Sequence, residues 1–162
     1  MAARRVVPGF VAGLVAVLVF HQGALLALHL AGLVPASPWR FDPVPPLGVP
    51  AVLSAAFWGG LWGIALALLL PSLGRGGPGA DPGALLLAGL LFGAVLPTLV
   101  AWFVVLPLKG LPAGGGLRWP GVVVGPVVNG AWGLGTALVL FLAGGARSPL
   151  EHGAKGPHAR RA

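Results

Sequence analysis

Four long stretches without a single formal charge decide what this chain can fold into. They fall at residues 6–34, 49–70, 83–108 and 121–142, and none contains Lys, Arg, Asp or Glu. An α-helix needs about 20 mostly apolar residues to cross the hydrocarbon core of a bilayer. Each stretch is long enough. Backbone amides have no water to bond in that core, so a span of this kind must satisfy its own hydrogen bonds as a helix. The prediction is an all-α integral membrane bundle of four transmembrane helices.

Composition agrees. Apolar residues make up 57% of the 162 residues and charged residues 8%, against about 25% charged in soluble domains. The first stretch follows Arg4 and Arg5, as a signal peptide would, but a signal's apolar region is about 7–15 residues long. This run is nearly twice that and carries His21, Gln22 and His29, so it reads as a span. Residues 1–144 then form the membrane domain. Residues 145–162 read as a basic, disordered tail on the cytoplasmic side.

Orientation follows from the cations beside the span ends. Arg4, Arg5, Arg75, Arg147, Lys155, Arg160 and Arg161 lie on the side of the termini, and Arg40, Lys109 and Arg118 on the other. The positive-inside rule places both termini in the cytoplasm, N-in and C-in. Trp39 beside Arg40 and Trp119 beside Arg118 have the composition of a membrane interface. The net charge of +7 is explained by topology and anionic lipid, so no nucleic-acid partner is expected. The partners expected are the lipid bilayer and a second copy or another membrane protein.

The connections differ in character. Residues 35–48 are proline-rich and are expected to be stiff, with polyproline-like stretches. Residues 72–83 are glycine-rich and are expected to be flexible.

Small residues recur at four-residue spacing in every span. Gly9 and Gly13 lie in the first; Ala55, Gly59, Gly63 and Ala67 in the second; Gly89, Gly93, Pro97 and Ala101 in the third; Gly121, Gly125, Asn129, Gly133 and Ala137 in the fourth. Residues four apart share a helix face, and small side chains let helix backbones approach closely in lipid. The helices are therefore expected to pack through Gly13, Gly59, Gly63, Gly89, Gly93, Gly125 and Gly133. Residues 60–64 (GLWGI) resemble 130–134 (GAWGL), and 91–95 loosely echo 11–15. The pattern leaves open a tandem repeat of a two-helix unit.

The chemistry available is narrow. There is no cysteine, which excludes disulfides, thiolate metal sites and thiol redox work. The three acids, Asp42, Asp81 and Glu151, all lie outside the spans. Asp42 and Asp81 each sit near a cation, Arg40 and Arg75, as loop ion pairs do. No catalytic or metal-binding motif is present, so neither enzyme activity nor a metal is expected. His21 and His29 lie on one helix, too close in register to clamp a haem within one chain, and no cofactor is expected.

Six polar side chains remain inside the spans: His21, Gln22, His29, Ser54, Thr98 and Asn129. Thr136, deeper toward the termini's side, is expected to bond its own helix backbone. Helical rise places Gln22, Thr98 and Asn129 roughly 12–18 Å below the outer surface, with His29 and Ser54 within roughly 8 Å of it. Two readings stand. These groups are interhelical glue in a non-enzymatic structural or accessory protein, or they line the path of a small solute or ion. Trp58, Trp62, Trp102 and Trp132 add aromatic bulk whose default role is packing.

The stretches FHQG (20–23), AFWGGLWG (56–63), PTLVAWFVV (97–105) and NGAWGLGTAL (129–138) resemble uncharacterised small four-helix inner-membrane proteins of bacteria. The resemblance implies a multi-pass inner-membrane location and no particular activity.

Overall fold

A computed structural model describes residues 3–74 and 81–145 of the chain. Four helices in it are long and apolar enough to cross a membrane: α1 (Ala3–Leu30), α2 (Ala51–Leu69), α3 (Pro82–Leu108) and α4 (Gly121–Gly145). The 19 residues of α2 rise about 28 Å, close to the roughly 30 Å of hydrocarbon they would cross. The tail beyond residue 145, and Arg75 with its expected ion pair, lie outside the described residues. So do residues 75–80 of the 72–83 connection.

Local chemistry sets the ends. Asp81 caps α3: its carboxylate accepts the Ala84 N–H at 2.8 Å, and Pro82 opens the helix. That satisfies one of the donors a helix start leaves unpaired. Both α1 and α3 stop at a glycine with positive φ, Gly32 (71°) and Gly110 (72°). In each case the next residue donates back five positions, Leu33 N to Leu28 O and Leu111 N to Leu106 O, both at 3.0 Å. This is the left-handed stop that glycine enters without a β-carbon clash. It ends the first span at Leu30, earlier than hydropathy extending to residue 34 implies.

The connection between α1 and α2 is folded, where polyproline was expected. Pro43–Val44 (β1) pairs antiparallel with Val49–Pro50 (β2). The carbonyls of Asp42 and Arg40 accept the N–H groups of Ala51 and Val52 at 2.9 and 3.0 Å. They thereby satisfy two donors of the otherwise unpaired first turn of α2.

The helices pack as two antiparallel hairpins. In α1–α2, Gly9 and Gly13 meet Gly59, Gly63 and Ala67; a β-carbon on Gly63 would lie 2.8 Å from the Gly13 Cα. In α3–α4, Gly89 and Gly93 meet Asn129, Gly133 and Ala137; a β-carbon on Gly133 would lie 2.9 Å from the Gly93 Cα. Real β-carbons essentially never come so close. The approach therefore requires glycine, as expected where helices associate by backbone contact. Gly125 also lies inside this packing, against Thr98 and Trp102.

The hairpins join mainly through α1 and α4. Ala16, Val17, Ala56 and Trp132 form one buried cluster. Toward the termini, Leu66 of α2 and Leu70 just past its end meet Leu85 of α3 and Ala137 of α4 in a second. Phe92 stands between two tryptophans, its ring centroid 6.0 Å from Trp62 and 6.4 Å from Trp132.

Candidate functional site

Hydrogen bonds divide the polar side chains of the spans into separate sets. Asn129 of α4 donates through Nδ2 to the Thr98 hydroxyl of α3 at 2.9 Å. Thr98 is 2% exposed, so the bond is shielded from competing solvent. It lies beside Gly125, whose missing side chain leaves room for the Thr98 methyl and the Trp102 indole.

Gln22 does something else. Its Oε1 accepts the backbone N–H of Trp39 at 2.8 Å, while the Trp39 indole donates to the Leu18 carbonyl at 3.0 Å. Leu18 lies in a π turn at Val17–His21, a wider turn than the α-helical one. Trp39 has a positive φ of 48°, an uncommon conformation for a bulky residue. Two hydrogen bonds to one helical turn hold it there. Gln22 is buried, so it works as the tether between α1 and the β1–β2 connection.

His29 bonds locally: Nδ1 meets the Val34 carbonyl at 3.0 Å, past the end of α1. Ser54 is half-buried near the start of α2 and makes no side-chain hydrogen bond among the described residues. The Nδ1 of His21 is buried with no partner among the described residues. No hydrogen bond joins His21, Ser54, the Gln22 set or the Thr98–Asn129 pair to one another. Thr136 bonds the Trp132 carbonyl of its own helix at 2.9 Å.

One buried bond was not anticipated from the sequence. The Trp132 indole donates to the Gly13 carbonyl at 2.9 Å, joining α4 to α1 and so one hairpin to the other. The signal was present: an indole N–H in hydrocarbon needs an acceptor. A carbonyl at a glycine, with no side chain in the way, can be reached from a neighbouring helix. The aromatic inventory alone gives no direction to look.

Among the acids, Asp42 pairs with Arg40 at 2.8 Å on the exposed β1–β2 connection. The hydrogen bond from Arg40, and then its charge, hold the Asp42 carboxyl below the usual carboxylate range. Asp81 serves as the cap of α3. Among the described residues no group of three or more His, Asp or Glu gathers as a metal set.

The fold and these sites define a class: a helical protein with four helices long and apolar enough to cross a membrane, the build of a multi-pass membrane protein. The chain matches no protein-family model, no curated protein and no solved structure.

Proposed function

We propose that the chain is a non-enzymatic structural or accessory component of a bacterial inner membrane, with both termini in the cytoplasm. The observation that carries this reading is how its intramembrane polar groups are used. Asn129, Thr98, Trp132 and Thr136 bond to one another or to helix backbone, and Gln22 bonds to the connection it anchors. All but the Thr136 bond, which stays within α4, fix one element against another. Interhelical bonds of this kind contribute about 0.6–2 kcal/mol each. Together with the glycine contacts, they hold the helices in fixed register.

The same reading includes a duplication. Gly9 and Gly13 occupy in the first hairpin the places of Gly89 and Gly93 in the second, and Gly63 and Ala67 those of Gly133 and Ala137. Both α1 and α3 end in the same glycine stop. Trp62 and Trp132 each reach from the second helix of their hairpin toward the first helix of the other. A tandem two-helix unit, related by an axis along the membrane normal, accounts for these correspondences.

A second reading, a small-solute or ion pathway in the outer half of the bundle, draws on the partnerless buried Nδ1 of His21. Liposome reconstitution separates the two. Asn129→Leu and His21→Leu should alter thermal stability in detergent, and neither variant nor the parent chain should carry ion or solute flux. A flux in the parent chain that His21→Leu abolishes would reject the structural reading.

A further inference from the structure

We infer that the α3–α4 hairpin holds one anionic glycerophospholipid, in the leaflet at the end where the 31–50 and 109–120 connections lie. Three features fall in order along this hairpin, and each matches one part of such a lipid.

The first is an apolar groove of about 510 Å³, open to the bilayer and lined by Leu90 and Ala94 of α3 and Pro126, Val127 and Gly130 of α4, with Phe20 of α1 at its side. Gly130 adds no side chain to it; Leu90 and Ala94 lie 3.4 Å from where its β-carbon would be. In the first hairpin, Phe10 packs on Gly60 at the corresponding place and fills it. From Pro126 to Leu134, which also lines it, the groove covers roughly 8–20 Å from the start of α4. That is the depth range of one leaflet's acyl chains.

The second is the Trp102 indole. Trp102 lies on α3 two turns beyond Ala94, in a π turn at Ala101–Val105, toward the 109–120 connection. Its Nε1 lies 3.1 Å from the position a β-carbon on Gly125 would take, and it makes no hydrogen bond among the described residues. Gly125 is roughly 6 Å from the start of α4. An indole donor at that depth has the ester carbonyls of the lipid as its natural acceptors.

The third is the charge above it. Lys109 follows the end of α3, and Arg118 comes shortly before α4. Both are exposed, and neither is in an ion pair among the described residues. They face the level of a lipid phosphate, with Leu108 and Trp119 exposed beside them. Cations here favour an anionic headgroup by roughly fivefold in affinity each.

Native mass spectrometry of the detergent-purified chain tests this, titrating matched-chain phosphatidylglycerol and phosphatidylcholine. The expected result is one retained phosphatidylglycerol, bound about 25-fold more tightly than phosphatidylcholine. Lys109→Gln with Arg118→Gln should remove that preference. Trp102→Phe keeps the ring and loses the donor, so it should weaken both lipids several-fold and leave the preference intact. Gly125→Ala, which crowds the Trp102 indole, should do the same. Equal binding of the two lipids by the parent chain would overturn the assignment. So would unchanged retention in both Trp102→Phe and Gly125→Ala. A lipid-free dimer would assign the groove to helix packing and overturn it too.

Discussion

Replacing Gly133 with alanine places a methyl group against the Gly89 carbonyl and 2.9 Å from the Gly93 Cα. Both neighbours are backbone, so no flexible side chain can turn away. Ordinary contact begins near 3.4 Å, and α3 and α4 must separate by at least about half an ångström to restore it. A gap of 0.5–1 Å forfeits a quarter to a half of each dispersion contact along the seam. Overpacking of this kind costs about 1–3 kcal/mol, only partly offset by the better helix propensity of alanine, worth up to about 1 kcal/mol. Gly63→Ala meets the same geometry in the first hairpin, with Gly9 O and Gly13 Cα in the corresponding places, and should be destabilising to a similar extent. Gly23 has nothing within 4 Å of its missing β-carbon, so Gly23→Ala should be neutral or stabilising. Equilibrium unfolding in mixed micelles, followed by circular dichroism, gives the three values under one condition. If Gly133→Ala proves as stable as Gly23→Ala, the close backbone approach is not what holds the hairpin together.

Trp132→Phe keeps the ring in the buried cluster and deletes the bond to Gly13; unfolding should show a loss of about 1 kcal/mol, smaller than that of Gly133→Ala. Gln22→Leu removes the acceptor for Trp39 N–H, and hydrogen exchange should quicken across residues 39–52 while α3 and α4 keep their protection. Asp42 has a lowered folded pKa, so the stabilisation from its pair with Arg40 is full above the ordinary carboxylate range. It is lost as pH falls through the lowered folded value. An acid titration of the β1–β2 connection by nuclear magnetic resonance should show that order, and Asp42→Asn should abolish the dependence.

The spans were legible because lipid imposes a simple rule: an uncharged run of sufficient length must be a helix. Glycine spacing went further and marked the faces that pack, since backbone contact is the only way those residues contribute there. The β1–β2 connection was misread for a physical reason. Its prolines favour extended backbone, but pairing of Val44 with Val49 and the tether at Trp39 depend on where α1 and α2 emerge. The polar residues were visible one by one, and their grouping was not. Gln22 and Asn129 lie at similar depth, yet one faces a connection and the other a neighbouring helix. Which partner each takes is set by helix rotation, and hydropathy carries no information about that.

Four crossing helices force the two connections 31–50 and 109–120 to one side of the membrane and both ends to the other. The chain has no cysteine, so single cysteines can be placed near Arg4, at Pro46, at Gly115 and in the C-terminal tail, then labelled with a membrane-impermeant maleimide in sealed vesicles of known orientation. The prediction is that positions 46 and 115 react from one side and both ends from the other. Reaction of position 46 or 115 from the same side as the N-terminus would contradict a bundle of four crossing helices.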